Sequence, residues 1–115
     1  MNGFITFLGT NDLENTRKFY KSTLDLSLYK DQGSCLIFSI IESGKLGFCK
    51  HIEKTIKEKS PIITLLVDDV DAFYKRLVDK GVKDISEPKE NKKFNIYHFF
   101  LKDPNGYTIE IQKFL

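Results

Sequence analysis

The sequence lacks long apolar runs and any excess of one charge. No apolar stretch among its 115 residues approaches the roughly 20 residues that cross a bilayer, so we expect no membrane partner. Lys and Arg number 18 and Asp and Glu 16, and the basic residues are scattered among acidic ones. Nucleic acids require a clustered basic face, so we expect no nucleic-acid partner. The first residues show no signal-peptide pattern, and a cytoplasmic location is expected.

Cysteine and histidine are also scarce. Cys35 and Cys49 do not form the close pair used for zinc binding or redox exchange, so we expect buried, reduced thiols. Cys49 and His51 alternate on one predicted strand and would supply one edge of a metal site only if the register differed by one residue from that expected for Phe48. No Ser or Cys nucleophile with a spaced His and acid, and no Gly-rich phosphate loop, is visible.

What the chain does contain is one order of elements that occurs twice. The length fits a single domain. The first half is predicted to hold a strand, a helix and three strands, with the bounds Phe4–Leu8, a helix capped by Asn11, Ser27–Lys30, Ser34–Ile41 and Leu46–Lys50. The second half repeats this order, with the bounds Ile62–Val67, a helix capped by Asp68 or Asp69 and ended by Gly81, Val82–Ile85, Phe94–Leu101 and Tyr107–Phe114.

The repeat predicts an α+β protein of two βαβββ modules, residues 1–50 and 61–115, joined by a polar linker at 51–60. A shift of 57 residues lays Ile5 on Ile62. After a loop five residues longer in the second half, Phe48 falls on Glu110. A four-stranded sheet with a helix on one face leaves its other face open, so we expect the two modules to pair around a shared cleft.

The sequence Asp-Pro-Asn-Gly-Tyr-Thr-Ile-Glu at 103–110, together with this repeat, resembles the vicinal oxygen chelate superfamily. The resemblance extends to the starts of the two helices, Asp12-Leu13-Glu14 and Val67-Asp68-Asp69-Val70. That superfamily includes glyoxalase I, bleomycin resistance proteins and extradiol dioxygenases. The resemblance implies the paired-module fold, but not one activity, because the scaffold serves isomerases, dioxygenases, transferases and metal-free drug binders.

The resemblance places the metal ligands of the metal-dependent members at four positions, here Ile5, Phe48, Ile62 and Glu110. Only Glu110 can bind a metal, whereas a divalent ion needs at least two or three protein donors. The dioxygenase-like pattern also expects a tyrosine where Phe100 stands. We therefore expect no cofactor, with a divalent metal at Glu110 as the alternative.

Glu110 is the leading candidate for a functional side chain, because strand alternation turns it away from Ile109 and Ile111. It would either hold a cationic ligand or act as a base, or else be hydrogen-bonded to a neighbouring strand or solvated. His98 shares a strand face with Phe100. It is either the switchable partner of Glu110 or a packed histidine. The predicted ligand-binding residues are an apolar wall of Ile5, Phe7, Phe48, Ile62 and Phe100, together with His98 and Glu110. Alternatively, the apolar residues fill a core that has no cavity.

These observations predict a metal-independent protein that binds a small organic molecule in an aromatic-lined cleft. The resemblance to bleomycin resistance proteins implies a homodimer. The rival is an enzyme, a metal-dependent lyase or isomerase of the glyoxalase I type, with Glu110 and His98 as catalytic residues. A hydrogen bond between Glu110 and His98, or a bound divalent ion, would favour the enzyme. A third alternative, a ferredoxin-like regulatory module that binds a metabolite, is disfavoured because that fold needs fewer strands than are predicted.

Overall fold

The computed structural model describes the whole chain, Met1–Leu115, as two compact units, Met1–Thr55 and Ile56–Leu115. Each unit contains one four-stranded sheet. No helix in either unit is long and apolar enough to cross a membrane.

The first unit has the predicted order of a strand, a helix and three strands. A π-helical segment, Phe19–Thr23, directly continues its helix. The elements are β1 Phe4–Gly9, α1 Leu13–Lys18, β2 Ser27–Asp31, β3 Cys35–Ile41 and β4 Gly44–Cys49. The sheet order is β1-β4-β3-β2, with β1 parallel to β4 and the other neighbours antiparallel.

The second unit repeats this arrangement. Its elements are β5 Ile62–Leu66, α2 Val70–Asp79, β6 Lys89–Asn91, β7 Ile96–Lys102 and β8 Thr108–Phe114. The sheet order is β5-β8-β7-β6, again with the first strand parallel to the last. The predicted fold class, α+β with two βαβββ modules, is confirmed.

Both helices begin at an aspartate that accepts a hydrogen bond from the backbone. Asp69 accepts from the N–H of Ala72 at 3.0 Å. Asp12, and not the predicted Asn11, accepts from the N–H of Asn15 at 3.0 Å. That backbone hydrogen bond holds the pKa of Asp12 below its ordinary value. The prediction of Asn11 was wrong by one residue because Asn and Asp cap helices about equally well.

The predicted strand Val82–Ile85 is wrong. Ile85 makes only an isolated bridge to Leu101. The fourth strand of the second sheet is Lys89–Asn91, within the segment 86–93 that we predicted to be a polar loop. It pairs through its backbone with β7, so a polar edge strand of three residues forms without an apolar pattern.

The helix of each unit covers one face of its sheet. In the first unit Tyr20 packs on Phe38 and Phe48, with ring centroids 5.5 and 4.6 Å away. In the second unit Leu77, Ile109 and Ile111 are fully buried on the face that α2 covers. The alternate side chains of each sheet therefore point away from its helix.

A disulfide joins Cys35 and Cys49, so the expectation of two reduced thiols is wrong. The register of β3 and β4 places these residues directly opposite each other, with Cα atoms 4.1 Å apart. That pairing arises from the fold of the hairpin, and a separation of 14 residues in the sequence does not reveal it.

Candidate functional site

The candidate site lies on the open face of the second sheet, the face that α2 does not cover. Along β8, Ile109 and Ile111 enter the core, and Glu110 and Gln112 alternate with them. The register sets Glu110 between Thr64 of β5 and Phe100 of β7, and sets Gln112 opposite His98. Strand alternation and register together bring these side chains to one face.

Glu110 is the centre of a hydrogen-bond network. The hydroxyl of Thr64 donates to its Oε1 at 2.7 Å, and Nδ1 of His98 lies 2.6 Å from its Oε2. With its amide nitrogen turned toward the carboxylate, Gln112 donates to both oxygens at 3.0 and 3.1 Å. Glu110 and His98 are only 8% and 5% exposed. The chain therefore supplies three donors to one buried carboxylate.

This network fixes the role of the His98 ring. An ionised carboxylate only accepts hydrogen bonds, so the Nδ1 that faces it must carry the proton. Nε2 is then the ring nitrogen left for a ligand. It accepts a hydrogen bond when the imidazole is neutral and donates one when the ring is charged. Glu110 thus orients the His98 ring.

A cavity of about 580 Å³ lies over this network. Its lining combines aromatic and aliphatic side chains with a few polar groups: Lys59, Ile62, Lys89, Asn91, Phe94, Ile96, His98, Phe100, Glu110, Gln112 and Phe114. Nζ of Lys59 lies 4.4 Å from the centroid of the Phe100 ring. Two lysines against one hydrogen-bonded carboxylate leave the lining with a surplus of positive charge.

Phe48 does not lie on an open face. It is fully buried against Tyr20, on the side of the first sheet that the helix covers. Strand pairing gives the reason. Gly47 pairs with Phe7, and Glu110 pairs with Thr64, the residue of the second module that is equivalent to Phe7. Gly47 is therefore the equivalent of Glu110, and the offset between the last strands of the two modules is 63 residues and not 62. The one-residue slip moved Phe48 to the wrong face, and Gly47 takes the position equivalent to Glu110.

The other predicted wall residues lie on open faces, two in each unit. Ile5 and Phe7 are 39% and 42% exposed on the open face of the first sheet. A Cβ at Gly47 would come within 2.5 Å of the Phe7 ring, so this ring covers the glycine. Ile62 and Phe100 line the cavity of the second unit.

The donors at the four positions that the resemblance indicated do not fit a divalent ion. With Gly47 in place of Phe48, the set is Ile5, Gly47, Ile62 and Glu110, and only the last has a side-chain donor. Both oxygens of Glu110 already accept hydrogen bonds from Thr64 and His98. Octahedral or tetrahedral sites need several free donors, which these positions lack.

Several side chains of the site were not predicted as functional candidates, among them Gln112, Thr64, Lys59 and Lys89. Gln112 lies two residues after Glu110 on the same face of β8 but was given no role. Thr64 comes from a strand 46 residues away and Lys59 from the predicted linker, so only the pairing of β5 with β8 and the cavity reveal them.

Comparison with known proteins agrees with this architecture. The sequence profile described as "Glyoxalase/Bleomycin resistance protein/Dioxygenase superfamily" matches residues 4–111. A search of curated protein sequences finds no significant match.

Solved structures with the same fold cover nearly the whole chain. A lactoylglutathione lyase from Agrobacterium tumefaciens superposes with a TM-score of 0.76 at 18% identity, over 96% of this chain and 91% of that one. A glyoxalase/bleomycin resistance protein from Catenulispora acidiphila gives 0.77 at 16% identity, over 100% of both chains. An integron cassette protein from the Halifax Harbour sewage outfall metagenome gives 0.80 at 18% identity, over 96% and 97%. At these identities the structures establish the fold alone, and the profile match shows the family. The chain belongs to the glyoxalase/bleomycin resistance protein/dioxygenase superfamily.

Proposed function

We propose that the protein binds a small organic molecule, without a metal, in the aromatic-lined cavity of its second unit. The observation that carries the proposal is the engagement of Glu110 by Thr64, His98 and Gln112. A carboxylate that must ligate a metal needs free lone pairs, whereas here the chain's own donors occupy both oxygens. What remains for a ligand is the His98 ring, the lysines and the apolar wall.

The charges of the cavity favour an anionic ligand and not the cationic one that Glu110 alone suggested. A cation would meet Lys59 and Lys89 in the lining, and a carboxylate already hydrogen-bonded by three donors. An aromatic molecule with an acidic group would stack on Phe94 or Phe100 and direct its charge toward Lys59 and Nε2 of His98. The ligand class is therefore an aromatic or strongly apolar organic acid.

A pair of fluorescent probes tests this ligand class. We expect the aromatic anion 8-anilinonaphthalene-1-sulfonate to bind more tightly than the uncharged N-phenyl-1-naphthylamine. Lys59→Gln should raise the Kd of the anion about three- to tenfold, the effect of losing roughly 0.6–1.4 kcal/mol of charge interaction, and leave the uncharged probe unaffected. Lys75→Gln, on the exposed surface of α2, is the matched control. Equal binding of the two probes, or an equal effect of both substitutions, would exclude the anionic ligand class.

Metal content tests the metal-independent part of the proposal. The oxidised protein, with its disulfide intact and no reductant present, is soaked separately with nickel, zinc, manganese and ferrous iron and analysed beside Glu110→Gln. We expect less than stoichiometric metal in both proteins. Stoichiometric metal in the wild type that disappears in Glu110→Gln would contradict the proposal.

The contact between His98 and Glu110 favours a second candidate, an enzyme that moves a proton. At 2.6 Å the pair meets the distance condition for an oriented base, with Nε2 of His98 as the proton acceptor. The assay is conversion of the hemithioacetal of methylglyoxal and glutathione to lactoylglutathione, with and without added divalent metal. Turnover that is lost in His98→Gln would make the enzyme the primary reading. Absence of turnover under all conditions would exclude a glyoxalase-type lyase.

A homodimer also remains a proposal. Exposed apolar side chains lie on the edge strands of both sheets, among them Phe4 at 69% on β1 and Leu66 at 62% on β5. Exposed edges with apolar side chains favour association. Light scattering coupled to size-exclusion chromatography should give twice the 13.4 kDa chain mass. A single species of chain mass at high concentration would refute the dimer.

A further inference from the structure

Three metal-binding side chains meet in the first unit, in a site separate from Glu110. The donor atoms of Cys35, Cys49 and His51 all lie within 4.8 Å of one another. The cysteines are 5% and 2% exposed, whereas His51 is exposed. Two thiols and an imidazole are the donors that zinc prefers.

The backbone holds these three residues in place. The cysteines pair directly across β3 and β4, and the N–H of Lys50 donates to the carbonyl of Ser34 at 2.9 Å, beyond the last pair of the ladder. The chain then passes over β1 at Gly9, where an added Cβ would lie 2.3 Å from the carbonyl oxygen of Ile52. This close approach requires a glycine, and it keeps the segment after β4 against the sheet.

We propose that reduction of the Cys35–Cys49 disulfide creates a zinc site formed by both sulfurs and His51. In the first step a reductant, a thiol or a phosphine, supplies two electrons, and two protons convert the disulfide to two thiols. In the second step Zn²⁺ binds the two sulfurs and the neutral imidazole, and the thiols release their two protons. Water takes the fourth position, because the His51 side of the cluster faces solvent.

The observed distances suit this site. With Zn–S near 2.3 Å and Zn–N near 2.0–2.1 Å, tetrahedral geometry requires about 3.8 Å between the sulfurs and about 3.6 Å between sulfur and nitrogen. Cys35 Sγ and His51 Nδ1 are already 3.9 Å apart. The two sulfurs must separate, which breaking their bond allows, and the exposed His51 ring, which lies within 4.8 Å of Cys49 Sγ, must move closer to that sulfur. The disulfide and the metal therefore compete for the same two atoms, so oxidation and zinc binding exclude each other.

The experiment titrates the full chain with zinc before and after reduction by a phosphine, with free zinc followed by a chromophoric chelator. We expect no zinc binding by the oxidised protein and one zinc per chain after reduction. At a pH below the pKa of the thiols, close to two protons should be released per zinc. Cobalt in place of zinc should give the near-ultraviolet thiolate-to-cobalt band and the intense visible bands of a tetrahedral site.

Variants identify the ligands. Cys49→Ser should abolish binding, and His51→Gln, at an exposed position, should raise the zinc Kd by at least about tenfold, the effect of losing a well-oriented group at a metal site. His98→Gln, the only other histidine of the chain, is the matched control and should leave the zinc Kd unchanged. Circular dichroism checks that each variant is folded.

Three results would overturn the proposal. They are failure of the reduced wild type to bind zinc, an unchanged zinc Kd in folded His51→Gln, and loss of zinc binding in Glu110→Gln, which would move the metal to the second unit.

Discussion

Replacing Glu110 by alanine or by glutamine separates the contribution of its charge from that of its hydrogen bonds. Glu110→Ala removes the acceptor shared by Thr64, His98 and Gln112. His98 and Gln112 are 5% and 8% exposed, so water does not readily replace the lost acceptor. Breaking a buried, paired group of this kind costs about 3–5 kcal/mol.

Glu110→Gln keeps the shape and one acceptor oxygen. If its amide nitrogen faces Nδ1 of His98, the ring relieves that conflict by moving its proton to Nε2, whereas if its amide oxygen does, the Thr64 hydroxyl accepts from the nitrogen and the ring keeps its proton on Nδ1. We expect a loss of about 1–2 kcal/mol, comparable to one or two hydrogen bonds. The nitrogen that faces the cavity changes from an acceptor to a donor only in the first arrangement, and nitrogen-15 chemical shifts of the His98 ring distinguish the two.

The assay is urea unfolding followed by far-ultraviolet circular dichroism at neutral pH. Glu87→Ala, an exposed carboxylate in the same unit, is the control and should change the free energy of unfolding by less than about 0.5 kcal/mol. If Glu110→Ala costs no more than Glu87→Ala, Glu110 is not the shared acceptor of a stabilising buried network.

Three further predictions concern the fold. Gly9→Ala should lower the free energy of unfolding by more than about 3 kcal/mol in urea titrations, because its Cβ would strike backbone that cannot give way; a loss under about 1 kcal/mol would contradict this. Asp69→Ala should cost about 1 kcal/mol of stability through loss of the helix cap, while Asp69→Asn should restore most of it; equal losses in both variants would count against a capping role. The hydrogen bond to Asp71 raises the pKa of Tyr97, so this pair stabilises the fold below the ordinary tyrosine pKa, and the contribution disappears as the pH rises through the folded value. Spectrophotometric titration should show one tyrosine ionising at lower pH in Asp71→Asn, and an unchanged curve would refute the assignment.

The local pattern of the sequence contains most of the fold. Helix caps, apolar periods and strand alternation act over a few residues, and they predicted both βαβββ modules and the outward direction of Glu110. His98 and Phe100 were placed on one face by the same alternation, which the pairing with β8 reproduces.

Long-range pairing determined the rest. The side-chain period of a strand is two, so an error of one residue in comparing the modules exchanged Phe48 with Gly47 and reversed the predicted face. The disulfide, the edge strand Lys89–Asn91 and the hydrogen bond from Thr64 to Glu110 all depend on which strands lie side by side. Backbone pairing between strands has little dependence on side-chain type, and for this reason the sequence indicated a carboxylate on an open face while the tertiary structure determined which groups surround it.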